Sequence, residues 1–194
     1  MRSYPNMKNI VLASQSPRRR ELLTRLGYPY TTDSADIDET LDLSLGIQNA
    51  VEALALRKAQ AVEKKHTDSI IITADTVVVL NDKIYGKAKD AQDAFEMLKE
   101  LSGHTHQVMT SMCLMYQDKN ITLTSITDVE FYELKDQDIQ NYIETGEAYD
   151  KAGAYGIQDL GSLFIKKIDG DYYTVMGLPV ALLKRKMEAF IQSI

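Results

Sequence analysis

Asp75 stands inside the apolar run Ile70-Ile71-Ile72-Thr73-Ala74-Asp75-Thr76-Val77-Val78-Val79. An ionised carboxylate in a buried strand is costly unless it is paired, hydrogen-bonded or bound to a metal. Two readings are open. Asp75 is either a reactive or ligand-facing acid, with Thr73 and Thr76 marking a polar opening at a strand end, or a structural acid that caps a neighbouring backbone group. A second feature is Ser16-Pro17-Arg18-Arg19-Arg20, directly after a short apolar segment. Ser caps a helix and Pro suits its first position. Cations in that first turn oppose the helix macrodipole, while the free backbone N–H groups attract an anion such as a phosphate. Arg18, nearest the cap, reads as ligand-facing; Arg19 and Arg20 read as solvated surface. Lys58 shares the apolar face of a helix with Val51 and Val62. Either its stem lies along the core edge with the ammonium in water, or its face borders an anion-binding cleft.

Other signals are weaker. Lys87, in Ile84-Tyr85-Gly86-Lys87, ends a strand-like segment and by itself reads as surface. Gly153-Ala154-Tyr155-Gly156-Ile157-Gln158 allows close backbone approach to a ligand, yet also suits a plain turn. It is neither a Walker A loop nor a dinucleotide fingerprint. His104 and His106 lack cysteine partners at zinc spacing. No Gly-x-Ser-x-Gly elbow is present, and Cys113 lies in the apolar stretch Met112-Cys113-Leu114-Met115, where it reads as a buried reduced thiol. Covalent catalysis is disfavoured.

The elements that must position these residues follow from periodicity. A short buried strand covers 10–13, then a helix begins at Ser16-Pro17, carries Leu22, Leu23 and Leu26 inward and stops at Gly27. An acidic stretch over 33–42 precedes an amphipathic helix over 44–65. Residues 69–80 predict a central strand buried on both faces. Asn81-Asp82 predicts a turn, and Asp90 a helix cap for 91–101. Strands over 107–116 and 121–134, a helix over 136–145, a hairpin turning at Asp169-Gly170 and a helix after Pro179 complete the chain. Strands alternate with helices early and cluster later, so the expected architecture is α/β, a mixed sheet flanked by helices.

With 194 residues, 44% hydrophobic and 26% charged, the chain has the composition of a folded globular protein. Its net charge of -6 opposes a general nucleic-acid binder, which needs a basic face for the phosphate backbone. One cysteine forms no internal disulfide, residues 1–6 lack the apolar stretch of a secretory signal, and no apolar run matches a bilayer span. These features predict a cytoplasmic, membrane-free protein of one domain over 1–194, with 1–6 as an extension if Met7 is the natural start.

Five segments in order carry a resemblance: Leu12-Ala13-Ser14-Gln15-Ser16-Pro17-Arg18-Arg19, Ala74-Asp75-Thr76-Val77-Val78, Ser102-Gly103-His104-Thr105-His106-Gln107-Val108, Asp150-Lys151-Ala152-Gly153-Ala154-Tyr155-Gly156-Ile157-Gln158 and Gly177-Leu178-Pro179. Together the chain resembles the Maf family of nucleotide pyrophosphatases. The resemblance implies an inosine triphosphate pyrophosphatase-like fold with two lobes around a cleft, often dimeric. It also implies hydrolysis of a nucleoside triphosphate to the monophosphate and pyrophosphate, in the branch that prefers dTTP and UTP. Carried over by position, Asp75 is the proton acceptor, and Arg18, Thr76 and Gln158 match the specificity-linked residues. Glu39, Lys58 and Lys87 match further polar active-site residues, and Ser14 joins the substrate-binding positions. A divalent cation, Mg²⁺ or Mn²⁺, is implied, with Glu39 and Asp75 as its holders. Lys87 sits in Gly-Lys-Ala where family members commonly show Lys-Pro, which predicts a less rigid loop. The family's link with septum formation supplies the alternative, a nucleic-acid-binding regulator of cell division.

Overall fold

The structure is a computed structural model that describes residues 8–194; the extension over 1–6 and a start at Met7 fall outside the described residues. The chain divides into two compact units: the first runs to Asp75 and adds Thr110–Ser125 and Gly177–Ile194, and the second comprises Thr76–Met109 and Ile126–Met176. In chain order the elements are β1 (Asn9–Ala13), α1 (Pro17–Thr24), β2 (Thr31–Asp33), a 3₁₀ turn (Leu43–Leu45), α2 (Ile47–Glu63), β3 (Ser69–Leu80) and β4 (Lys83–Tyr85). These are followed by α3 (Ala91–Leu101), β5 (Thr105–Tyr116), β6 (Lys119–Phe131), α4 (Asp136–Glu144), a 3₁₀ turn (Leu160–Phe164), β7 (Ile165–Asp169), α5 (Tyr172–Val175) and α6 (Val180–Ser193). The strands form one seven-stranded sheet in the order β2-β1-β3-β5-β6-β7, with β4 also on β3. β1 runs parallel to β2 and β3, whereas β4 is antiparallel to β3 and β7 to β6, so the sheet is mixed as the element order predicts.

In the first unit, Ala55, Ala59 and Val62 of α2 pack against Val11, Ile71, Cys113 and Met115. The alanines let the helix approach the strands closely. Cys113 is fully buried and free, and burial pushes its thiol up to about 12, as expected of an inert core cysteine. In the second unit, Leu98 and Leu101 of α3 and Ile139 of α4 enclose Val129 and Phe131 of β6. A fully buried leucine such as Leu98 contributes roughly 1.5–3 kcal/mol. Among the described residues no helix is long and apolar enough to cross a membrane.

Local signals place most boundaries. Ser16 accepts from the Arg19 N–H with Pro17 at the first helical position, and Asp90 accepts from the Asp93 N–H. Asn81 and Asp82 turn the chain in the left-handed region, with φ of 50° and 61°. β2 carries no apolar signal because it is a three-residue, largely exposed strand. The hairpin expected at Asp169-Gly170 is absent. β7 pairs instead with β6, and Asp171 caps α5 by accepting from the Tyr173 N–H. Gly170 serves a different need: a Cβ there would lie 2.7 Å from Thr127 Oγ1.

Candidate active site

Asp75 lies within β3, not at its end as the flanking threonines suggest. Alternation along a strand puts Ile71, Thr73 and Asp75 on the same face. Ile71 packs with Ala55 and Ala59 of α2, and Thr73 Oγ1 donates to the Ala55 carbonyl at 2.7 Å. That bond sets the register of α2 on β3. One helical turn beyond Ala55 comes Lys58, and two residues beyond Thr73 comes Asp75, so the two side chains meet. Lys58 Nζ donates to Asp75 Oδ1 at 2.6 Å and also lies 2.9 Å from Glu39 Oε1. The side chains of Lys58 and Asp75 are only 15% and 12% exposed, whereas that of Glu39 is 64% exposed. Lys58 therefore does not send its ammonium to open water; it bridges two carboxylates.

Asp75 Oδ2 is buried and has no hydrogen-bond partner among the described residues. Burial raises the carboxyl above the usual range, against the attraction of Arg19 and then Lys58, and Glu39 pushes the same way as burial. Asp75 thus takes up a proton more readily than a surface aspartate does.

Arg19 corrects the reading of that residue as solvated surface. It is partly buried, donates through Nε to the Gly177 carbonyl at 2.9 Å and through Nη1 to Ser14 Oγ at 3.4 Å. Its guanidinium is attracted by Asp75 and Glu39 and repelled by Arg18. Ser14 is buried and also accepts from the Ser16 N–H at 3.2 Å, joining the end of β1 to the cap of α1. The missed signal was helical spacing: Arg19 stands three residues before Leu22, so it leans toward the packed side of α1. The first unit therefore gathers Ser14, Arg18, Arg19, Glu39, Lys58 and Asp75, with cations outnumbering carboxylates despite the chain's net charge of -6.

Thr76, Lys87 and Gln158 belong to the second unit. Thr76, half-buried, directly follows Asp75 on β3. Lys87 and Gln158 are both exposed, and the Lys87 segment is tied to the start of the loop that leads to Gln158. Lys87 forms an antiparallel bridge with Ala152, and the Gly153 N–H donates to the Gly86 carbonyl at 2.9 Å. These bonds hold the Gly-Lys-Ala segment in place. Gly153 is required there: its φ is 68° and a Cβ would meet Val78 at 2.9 Å.

No group of three or more His, Cys, Asp or Glu side chains among the described residues forms a ready-made metal cage. One or two carboxylates are nevertheless what Mg²⁺ takes from protein when phosphates and water complete its shell. Asp75, with a buried unpaired oxygen, and Glu39, open to solvent, fit that donor set.

Fold and site together define an α/β protein in which a buried acid is held among cations. The fold has a counterpart in the Staphylococcus aureus Ham1 protein, similar at a TM-score of 0.51 and 18% identity over 66% of this chain and 74% of that one. That likeness agrees with the fold implied by the five segments. The chain belongs to the Maf family: the Maf-like protein family matches residues 9–190. It is 46% identical to a dTTP/UTP pyrophosphatase of Bacillus cytotoxicus over 95% of this chain and 96% of that protein. A protein of the same name from Halalkalibacterium halodurans is 45% identical over 94% and 96%, and one from Bacillus velezensis 46% identical over 94% and 97%.

Proposed function

We propose that this protein hydrolyses nucleoside triphosphates, dTTP and UTP foremost, to the nucleoside monophosphate and pyrophosphate. The observation that carries the reading is Asp75: a buried carboxylate with one oxygen on Lys58, the other unpaired, and its proton affinity raised. A base that works near neutrality needs such a setting, because a fully solvated aspartate holds a proton too weakly. The full-length similarity to enzymes named dTTP/UTP pyrophosphatase supports the substrate class.

In this mechanism the phosphates are held by Arg18 and Arg19 near the start of α1 and by its free N–H groups. Asp75 Oδ2 orients a water molecule and accepts its proton as the oxygen attacks phosphorus in the α–β anhydride, and the bridging P–O bond breaks to leave the monophosphate and pyrophosphate. Lys58 keeps the carboxylate oriented through Oδ1 and neutralises charge that develops on the phosphoryl oxygens. Asp75 and Glu39 would hold a divalent cation, Mg²⁺ or Mn²⁺, whose chemistry is to neutralise phosphate charge and polarise the anhydride. Gln158 both donates and accepts, matching the mixed edge of a pyrimidine, with Thr76 of the same unit as a further specificity residue. Ser14 acts through Arg19, whose guanidinium it receives.

The test is pyrophosphate release from dTTP, UTP, CTP and 7-methyl-GTP side by side, for the natural protein and Asp75→Asn. Release from dTTP and UTP, lost in a folded Asp75→Asn protein, is the expected result. Near-natural turnover by Asp75→Asn removes the assigned base, and preference for 7-methyl-GTP removes the assigned substrate.

A further inference from the structure

We infer that the buried His106–Tyr155 pair is a positioning device for the loop that ends at Gln158, and that it governs nucleobase discrimination without touching the nucleotide. The inference rests on the reading of Gln158 given above. His106, on β5, is 1% exposed, and its Nε2 is 2.8 Å from the Tyr155 hydroxyl. Its Nδ1 is buried without a hydrogen-bond partner. Phenylalanine at both positions would fill the same space with no unpaired polar atom, so for stability alone the His106–Tyr155 pair is a poor choice here. What the imidazole adds is direction: it fixes how deep and at what rotation the Tyr155 ring sits.

The surroundings make that constraint effective. Phe131 meets both rings edge-on, at 4.8 Å from His106 and 4.7 Å from Tyr155, which leaves Tyr155 no alternative seat. Burial lowers the imidazole to about 4, so the bond to the tyrosine is one between neutral groups at ordinary pH. The chain reaches Tyr155 through two successive left-handed residues, Gly153 at φ 68° and Ala154 at φ 60°. For alanine this conformation is unfavourable and persists only where neighbours impose it. Beyond Tyr155 the stem of Lys151 occupies the space beside Gly156, where a Cβ would lie 2.6 Å from Lys151 Cε. The Lys151 ammonium in turn donates to the Glu147 carbonyl and Asp150 Oδ1, each at 2.7 Å. The segment leading to Gln158 is therefore fixed at Tyr155 and again at Gly156, and the exposed amide inherits its position from buried groups.

Tyr155→Phe removes the hydroxyl and keeps the ring, so it isolates the bond from the packing. The expected result is a fall of about 5-fold in the preference for dTTP over CTP, read as the ratio of kcat/KM values, a size ordinary for coupled neighbours. In a Gln158→Ala background the same substitution should change that preference by less than about 2-fold, because the amide being positioned is gone. Amide hydrogen exchange over 156–158 should quicken in Tyr155→Phe. An unchanged preference, or an equal change in both backgrounds, overturns the inference. If the natural protein turned over neither nucleotide, the proposed function would fall instead. The exchange measurement would then decide this inference alone, with unchanged protection over 156–158 counting against it.

Discussion

Lys58 and Asp75 should respond to substitution in opposite ways, although they share one hydrogen bond. Removing the lysine leaves a carboxylate that is 12% exposed without its nearest cation. Breaking a buried pair from one side commonly costs about 3–5 kcal/mol, and residual exposure together with the attraction of Arg19 places Lys58→Met nearer ~2–3 kcal/mol. At ~2–4 °C per kcal/mol for a chain of this size, its melting temperature should fall by roughly 4–12 °C. Asp75→Asn weakens a charge-assisted bond of ~1.5–3 kcal/mol, since its amide oxygen still accepts from Lys58, and it ends the burial of an ionised, half-unpaired carboxylate that costs ~1–3 kcal/mol. These terms nearly cancel, so Asp75→Asn should stay within ~1 kcal/mol of the natural protein while losing turnover. In the double variant most of the Lys58→Met loss should disappear, because no buried charge remains to be stranded.

The same cycle has a pH signature. The folded-state pKa of Asp75 is raised above its unfolded value of about 3.9, chiefly by burial. The folded protein therefore binds that proton more readily than the unfolded chain does. The resulting penalty is absent below the unfolded value and develops as pH rises through the folded one. Without Lys58 the pKa rises further, so the gap between natural protein and Lys58→Met should narrow as pH falls. Asp75→Asn should lack this component altogether. Thermal melts followed by circular dichroism, from neutrality down to about pH 4.5, supply the measurement. Additivity of the two single substitutions within ~0.5 kcal/mol, or a gap independent of pH, would refute the reasoning.

Glu39→Gln removes one of the two carboxylates proposed to hold a divalent cation, and its largely exposed side chain makes little demand on folding. The Mg²⁺ concentration for half-maximal activity should rise ~10-fold or more, with much of the rate restored at saturating metal. An unchanged Mg²⁺ requirement with a lower maximal rate would place Glu39 on the water instead. His106 gives a separate acid limb: buried and lowered to about 4, it stays neutral where an unfolded histidine, near 6.5, is already charged. Stability should therefore fall as pH drops from about 6.5 toward 4, by up to roughly 3 kcal/mol, and His106→Gln should flatten that limb in denaturant titrations. An identical limb in the variant would show that another group is responsible.

Much of the scaffold was legible because its causes are local. Ser16-Pro17 and Asp90 start helices through bonds closed within a few residues, and the apolar run from Ser69 to Leu80 is the strand β3 without adjustment. Asp75 and Lys58 were visible as charges on apolar faces, a conflict that any fold must resolve. Where the cause is distant, sequence reasoning went astray. Arg19 looked like its neighbours, yet its partners are the carbonyl of Gly177 and the hydroxyl of Ser14. Asp169-Gly170 looked like a hairpin turn, yet the glycine answers to Thr127 across the β6–β7 pair.

Composition and near-neighbour spacing govern which residues are expensive to bury and where helices and strands begin, so both are legible without a fold. Sequence similarity across nearly the whole chain also settles membership of the Maf family. How the charges combine is set by long-range packing. The hydrogen bond from Thr73 to the Ala55 carbonyl sets α2 against β3, and that register brings Lys58 to Asp75 across 17 residues of chain. No local rule contains such a register. It follows from how one helix face packs on one strand face, and the buried carboxylate acquires its partner, its unpaired oxygen and its raised proton affinity from that packing.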